Sequence, residues 1–116
     1  MASRPSPARG EVWLVDLAPT RGREQSGQRP VLVLSISEFN RGPADLVVVL
    51  PITSTVRPIR FHVRVDPPDG GLRQPSDIMC ENVRAISKGR LVRRWGVLSE
   101  AAMGQVEDRV RGILGL

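Results

Sequence analysis

The 116-residue sequence has no tyrosine, one cysteine, one histidine and a single lysine, Lys88. With Cys80 as the only thiol no internal disulfide can form, which suits a reducing compartment. One Cys and one His are too few donors for a zinc set. The phosphate-binding loop and the dinucleotide fingerprint are also absent, so neither a metal nor a cofactor is expected. The aromatic complement is Trp13, Phe39, Phe61 and Trp95. That is too few for an extended stacking platform, so at most one or two unpaired bases can stack, and both tryptophans read first as core filling. No apolar run approaches the roughly 20 residues of a membrane span; the most apolar, Leu46 to Pro51, is far shorter. The N-terminal MASRPSPARG lacks the apolar stretch of a secretory signal. A cytoplasmic protein with no membrane partner is expected.

What the chain does have is arginine. Seventeen bases oppose 12 acids for a net charge of +5, and 16 of the 17 are Arg. Guanidinium forks suit phosphate, although a GC-rich genome that writes Arg for Lys throughout explains the bias equally well. The arrangement favours a binding role. Arg84, Lys88, Arg90, Arg93 and Arg94 fall within eleven positions, and no acid stands between Glu81 and Glu100. An anionic partner follows, with nucleic acid the first choice.

Length and composition allow one core. Residues 1–9, with two Pro, two Ser and two Arg, read as a flexible tail ahead of a single domain over residues 10–116. Strands are expected at Glu11 to Leu17, Val31 to Ser35 and Leu46 to Ile52, with Pro51 marking a strand end, an edge or a bulge. The polar, glycine-bearing segment from Pro19 to Arg29 reads as a surface loop. Phe61 to Val65 alternates, placing Phe61, Val63 and Val65 on one face and a solvated His62 with Arg64 on the other. Ile78 to Ile86 is β-compatible, and Leu91 to Leu98 holds one more short strand. The one convincing helix is the last element. Ser99 caps it, Leu98 staples against Met103, and Met103, Val106, Val110, Ile113 and Leu114 follow at helical spacing up to a stop at Gly115. Five to seven short antiparallel strands and one C-terminal helix fit a mainly β (α+β) fold, a small barrel whose closure removes exposed edges.

The polar groups left in turns suit one reaction. RNA carries its own nucleophile, the 2′-OH, so its cleavage by transesterification needs neither metal nor protein nucleophile. It needs an acceptor for the 2′-OH proton, a donor for the 5′-oxygen and positive charge on the phosphorane between them. Glu24, Arg29, Thr53, Ser54 and Arg84 supply such groups, with arginine acting as a clamp because its pKa above roughly 12 makes it a poor base. A Cys80–His62 nucleophilic pair is the lesser reading, since a lone Cys in an apolar strand is usually an inert core thiol.

Several segments, in order, resemble the MazF/PemK/Kid toxins of bacterial toxin–antitoxin modules. These are RGEVWLVDL (9–17), GREQSGQRPVLVLS (22–35), Phe39-Asn40, PITS (51–54), ENVRAI (81–86), Arg90-Leu91 and the tail from GVLSEAAM to the end. The resemblance implies an SH3-like barrel, a homodimer and a metal-independent, sequence-specific endoribonuclease. Its substrate would be single-stranded RNA, left with 2′,3′-cyclic phosphate and 5′-hydroxyl ends. A cognate MazE-like antitoxin is the implied protein partner. Carried over by position, Arg29 and Thr53 are catalytic, while Glu24, Gln25, Ser54, Arg84 and Ser87 bind RNA or support the transition state. The chain departs from the pattern at Arg23, where some members have His or Ser, at Asn82, often Gln, and at Ser87, which replaces an Asp carried by some members. The proton acceptor is then Thr53, Glu24 or water. The rivals are a non-enzymatic gyrase poison of the same fold, like CcdB, and an RNA-binding module without turnover.

Overall fold

A computed structural model describes residues 6–17 and 27–116 of the chain. Among the described residues are seven strands: β1 (Glu11–Asp16), β2 (Gln28–Val33), β3 (Leu46–Thr53), β4 (His62–Val65), β5 (Ser76–Met79), β6 (Arg84–Ser87) and β7 (Leu91–Val97). A one-turn helix α1 (Ser37–Asn40) and the C-terminal α2 (Glu100–Leu114) complete the regular elements, with two short 3-10 turns. The sheet order is β4-β5-β3-β2-β1-β7, with β6 also paired to β3, and every ladder is antiparallel.

Because side chains alternate across a strand, the sheet buries both of its faces. On one face Trp13, Val15, Val31, Val33, Val47, Val49, Ile86 and Leu91 pack together inside the curl made by β7, β1, β2, β3 and β6. On the other, Val12, Leu32, Leu50, Ile52, Val63 and Ile78 pack under Ala102, Val106 and Val110 of α2. The expected caps hold: Ser99 Oγ accepts from the Ala102 amide at 3.2 Å, and Gly115 closes α2 at φ 72°. Leu114 is 54% exposed and leaves the predicted apolar face, which Ala102 joins instead.

The Ile78 to Ile86 stretch is two strands with different partners. β6 lies against Leu46 to Val49 of β3, and β5 lies against Ile52 and Thr53 on the same edge. Pro51 stands where β3 passes from one neighbour to the next, so the ring that removes an amide donor falls between two ladders. At the N-terminus the fold begins before Gly10. Pro7 is buried, and its carbonyl accepts from Nδ2 of the buried Asn40 at 2.9 Å, so residues 6–9 of the expected tail belong to the packed chain.

Candidate active site

The partner change of β3 opens a site. Val47, Val49 and Pro51 share the barrel-facing side of β3 with Thr53, but β6 ends opposite Val49, so the pleat face beyond it is no longer closed over. Val31 pairs with Pro51, and continuing that antiparallel register by two residues sets Arg29 opposite Thr53. Arg29 thus lies in β2, not in the predicted loop. Both residues line one cleft of about 320 Å³ together with Gln28, Ser54, Thr55 and Ser76. The Thr53 hydroxyl oxygen accepts from the Thr55 amide at 3.1 Å, which leaves its hydrogen to donate outward.

The cleft's far wall comes from residues that composition alone does not single out. Arg73, Gln74 and Trp95 line it, and the Arg73 guanidinium lies 5.8 Å from the centre of the Trp95 ring. Close backbone contact holds this wall. A Cβ built on Gly71 would stand 2.3 Å from the Trp95 carbonyl oxygen, and one on Gly96 would stand 2.9 Å from the Gly70 carbonyl carbon. The Gly-Gly pair of the first 3-10 turn (Asp69–Gly71) therefore sits directly on β7. Trp95 is partly buried against the α2-side core, so its predicted core role is half of its environment, whereas Trp13 is buried outright.

Other predicted site residues lie elsewhere. Arg84 pairs with Val49, four positions from Thr53 along β3 or about 13 Å at strand rise; it shares the open-facing side of the strand but does not line the cleft. Ser87 pairs with Leu46 at the opposite end of β3, and its hydroxyl accepts from the Gly89 amide at 3.3 Å. Its place in the chain suits a turn cap and sets it at the far end of β3 from Thr53, outside the cleft. Glu24 and Gln25 fall outside the described residues. Within the basic run, Arg94 is bound to Glu11 at 2.8 Å and Arg90 donates to the Asp16 carbonyl at 3.0 Å, so part of that charge braces β1 against β7.

The largest departure from expectation is His62. Its side chain is 5% exposed, not solvated. Nδ1 lies 3.3 Å from Oδ2 of Asp77, and Nε2 lies 2.9 Å from Oε2 of Glu81. Asp77 is itself buried, receives the Arg57 amide at 3.0 Å and meets Nε of Arg64 at 3.3 Å. Burial pushes its carboxyl up, but the bonds from Arg57, His62 and Arg64 outweigh that and hold it below the usual carboxylate range. Asp77 pairs with Thr53 across β3 and β5. His62 and Glu81 line a second depression of about 260 Å³, and Thr53 and Thr55 form the ridge common to both. Cys80 is fully buried, and burial followed by the Glu81 charge pushes its thiol up to about 11, as the inert reading requires. Among the described residues no group of three His, Cys, Asp or Glu is disposed to hold a metal ion.

MazF of Deinococcus radiodurans superposes on this chain with a TM-score of 0.81 and 24% identity, covering 97% of this chain and 99% of that one. A curled seven-strand antiparallel sheet backed by a C-terminal helix is therefore the fold of MazF-type proteins. Residues 8–114 match the family described as PemK-like, MazF-like toxin of type II toxin-antitoxin system, and the chain belongs to that family. Endoribonuclease PemK of Escherichia coli is 40% identical over 110 residues, 91% of this chain and 80% of the relative. An endoribonuclease in complex with its cognate antitoxin, from a mycobacterial species, aligns over 96% of this chain and 95% of its own at 25% identity and a TM-score of 0.74.

Proposed function

We propose that this toxin is an endoribonuclease that cuts single-stranded RNA, with sequence preference, by attack of the ribose 2′-OH on the adjoining phosphodiester. The products are a 2′,3′-cyclic phosphate and a 5′-hydroxyl. The observation that carries the reading is the shared cleft: Arg29 from β2 and Thr53 from the end of β3 face one concavity although 23 residues separate them. Arg29 is exposed and supplies a bidentate cation for the charge that grows on the phosphorane oxygens. Thr53, its oxygen already engaged by the Thr55 amide, donates its proton to the same phosphate. Arg73 adds a second cation on the far wall, and Trp95 beside it offers one aromatic surface on which a base can stack.

This division of labour needs no bound metal, because the substrate provides the nucleophile and the guanidinium provides the charge. The chain works as a homodimer and is silenced by a cognate antitoxin of the MazE type. That partner is supported by the related endoribonuclease solved with its antitoxin.

The test is incubation of the purified protein with end-labelled RNA in excess EDTA. Discrete cuts bearing cyclic-phosphate ends are expected. Binding without cuts marks an RNA-binding module, and neither binding nor cuts points to a protein target such as gyrase. Arg29→Ala is expected to lower the cleavage rate by at least about 100-fold, the usual loss on removing a preorganised oxyanion donor, with an unchanged circular dichroism spectrum. Near-full activity in that variant overturns the assignment.

A further inference from the structure

We propose that Arg73, held over the face of Trp95, reads a guanine base beside the cut; this rests on the ribonuclease reading above and names the base behind its sequence preference. The two arginines that line the cleft are placed differently. Arg29 stands opposite Thr53, where the phosphate is bound, and Arg73 stands on the far wall. A nucleotide whose phosphate rests on Thr53 brings a base toward that wall. Arg73 is exposed, and among the described residues no carboxylate pairs with it, in contrast to Arg9, Arg64, Arg94 and Arg111. Its orientation comes from Trp95 instead, whose ring centre lies 5.8 Å from the guanidinium carbon. A cation over an aromatic face keeps the N–H groups on its rim free for acceptors.

The backbone that carries Arg73 is fixed on both sides. Leu72 is buried in the α2-side core. Asp69 accepts from the amide and from the hydroxyl of Ser99, both at 2.7 Å, which fastens the first 3-10 turn to the start of α2. Trp95, in turn, is not explained by packing alone. Its Nε1–H is covered and has no acceptor among the described residues, a loss that phenylalanine or leucine in the same place would avoid. Indole is nevertheless the strongest cation–π partner among aromatic side chains. Its presence here fits a positioning role toward Arg73.

The chemistry of the wall selects the base. No Asp or Glu lines the cleft among the described residues, so the amino group of cytosine lacks the carboxylate acceptor that suits it. Guanine presents two adjacent acceptors, O6 and N7, which a guanidinium fork meets with two parallel hydrogen bonds. The carbonyls of uracil are separated by its N3–H and do not match the fork. Gln28 and Gln74 carry the amides that read adenine, but both are exposed and no hydrogen bond orients either side chain among the described residues. The Arg73 guanidinium also remains a full charge close to the flanking phosphates, so it adds to the salt dependence of binding while it reads the base.

The test is cleavage of a randomised RNA library by the wild-type protein, with the new ends sequenced. Cuts are expected to favour guanine about tenfold at a nucleotide flanking the cut, within the usual range for one bidentate base contact. Arg73→Lys is expected to keep the charge, and with it the salt dependence, but to lose the guanine preference, because an ammonium lacks the fork. Trp95→Leu is expected to lose the preference as well, whereas Trp95→Phe, which restores a ring beneath the guanidinium, retains it. A merely structural role for Trp95 would lower cleavage at all sites alike. In a defined substrate, 7-deazaguanosine at the preferred position is expected to slow cleavage about tenfold by removing N7, while inosine, which keeps O6 and N7, is cut like guanosine. Cutting without guanine enrichment, an adenine preference, enrichment that survives in Arg73→Lys, or full-rate cutting of the 7-deaza substrate overturns this inference and leaves the ribonuclease reading standing. A wild-type protein that cuts no RNA overturns both.

Discussion

Asp77 shows how one buried carboxylate ties stability to pH. Its folded pKa lies below the ordinary value of 3.8, because three hydrogen bonds outweigh the burial that opposes them. A depressed folded pKa contributes stability above the unfolded value, and that contribution is lost as pH falls through the folded one. The melting temperature of the wild type should therefore exceed that of Asp77→Asn at neutral pH, with the gap narrowing as pH is lowered through about 4 and below. A gap that is constant from pH 7 to pH 3 would contradict this. Cys80 makes the complementary case. With its thiol raised to about 11 and no exposed surface, it should resist iodoacetamide at pH 8 in the native state and react only on unfolding. Mass spectrometry of the alkylated protein with and without denaturant checks this directly.

Among the elements, the connections that place the site depend on a few contacts of long reach. Asn40 of α1 is 1% exposed and donates to the carbonyls of Pro7 and Ser35, fastening the N-terminal segment across the start of β3. Asn40→Ala leaves these buried carbonyls unpaired and should cost about 1–3 kcal/mol in chemical denaturation. Phe39-Asn40 was legible as part of a recurrent pattern, but its buried role was not, because a short polar turn gives no periodic signal. The Gly71–Gly96 contact is similar. Neither glycine announces itself in sequence, yet Gly96→Ala forces backbone apart where β7 meets the turn and should destabilise by about 1–3 kcal/mol. It should also weaken RNA cleavage, since Arg73 and Trp95 lie on either side of that contact. By contrast α2 was readable in full apart from its last turn, because capping at Ser99 and 3.6-residue spacing are local signals.

At the scale of the whole molecule, the curl of the sheet decides where positive charge faces a substrate. Arg29 and Arg73 face the cleft, while Arg94 and Arg90 are spent on Glu11 and on the Asp16 carbonyl. Composition suggested one basic surface spanning Arg84 to Arg94, and the structure instead divides that run between β6, the second 3-10 turn (Lys88–Arg90) and β7. RNA affinity should fall with salt with a log–log slope of about −0.7 per phosphate neutralised. Arg73→Ala should make that slope shallower by close to one contact, while Arg94→Ala should change stability more than slope. Filter binding of an uncleavable RNA from 50 to 300 mM salt separates the two effects, at concentrations chosen on the order of the dissociation constant. Equal slopes in wild type and Arg73→Ala would remove Arg73 from the RNA surface.

Strand content, the C-terminal helix and the lone core thiol were present in the sequence as local spacing, and a recurrent motif singled out Arg29 and Thr53, which line one cleft. The status of His62 was not. Alternation correctly put it on the face away from the α2-side core, but that face is covered by the segment after β3 and flanked by carboxylates 15 and 19 residues further on. Likewise nothing local told Arg84 and Ser87 apart from the cleft residues. Only the change of partner along β3 separates them, because β6 closes one end of that strand and leaves the other end open to a ligand. Which side chains share a strand follows from periodicity; which of them meet water, charge or substrate is set by the neighbours that long-range pairing brings alongside.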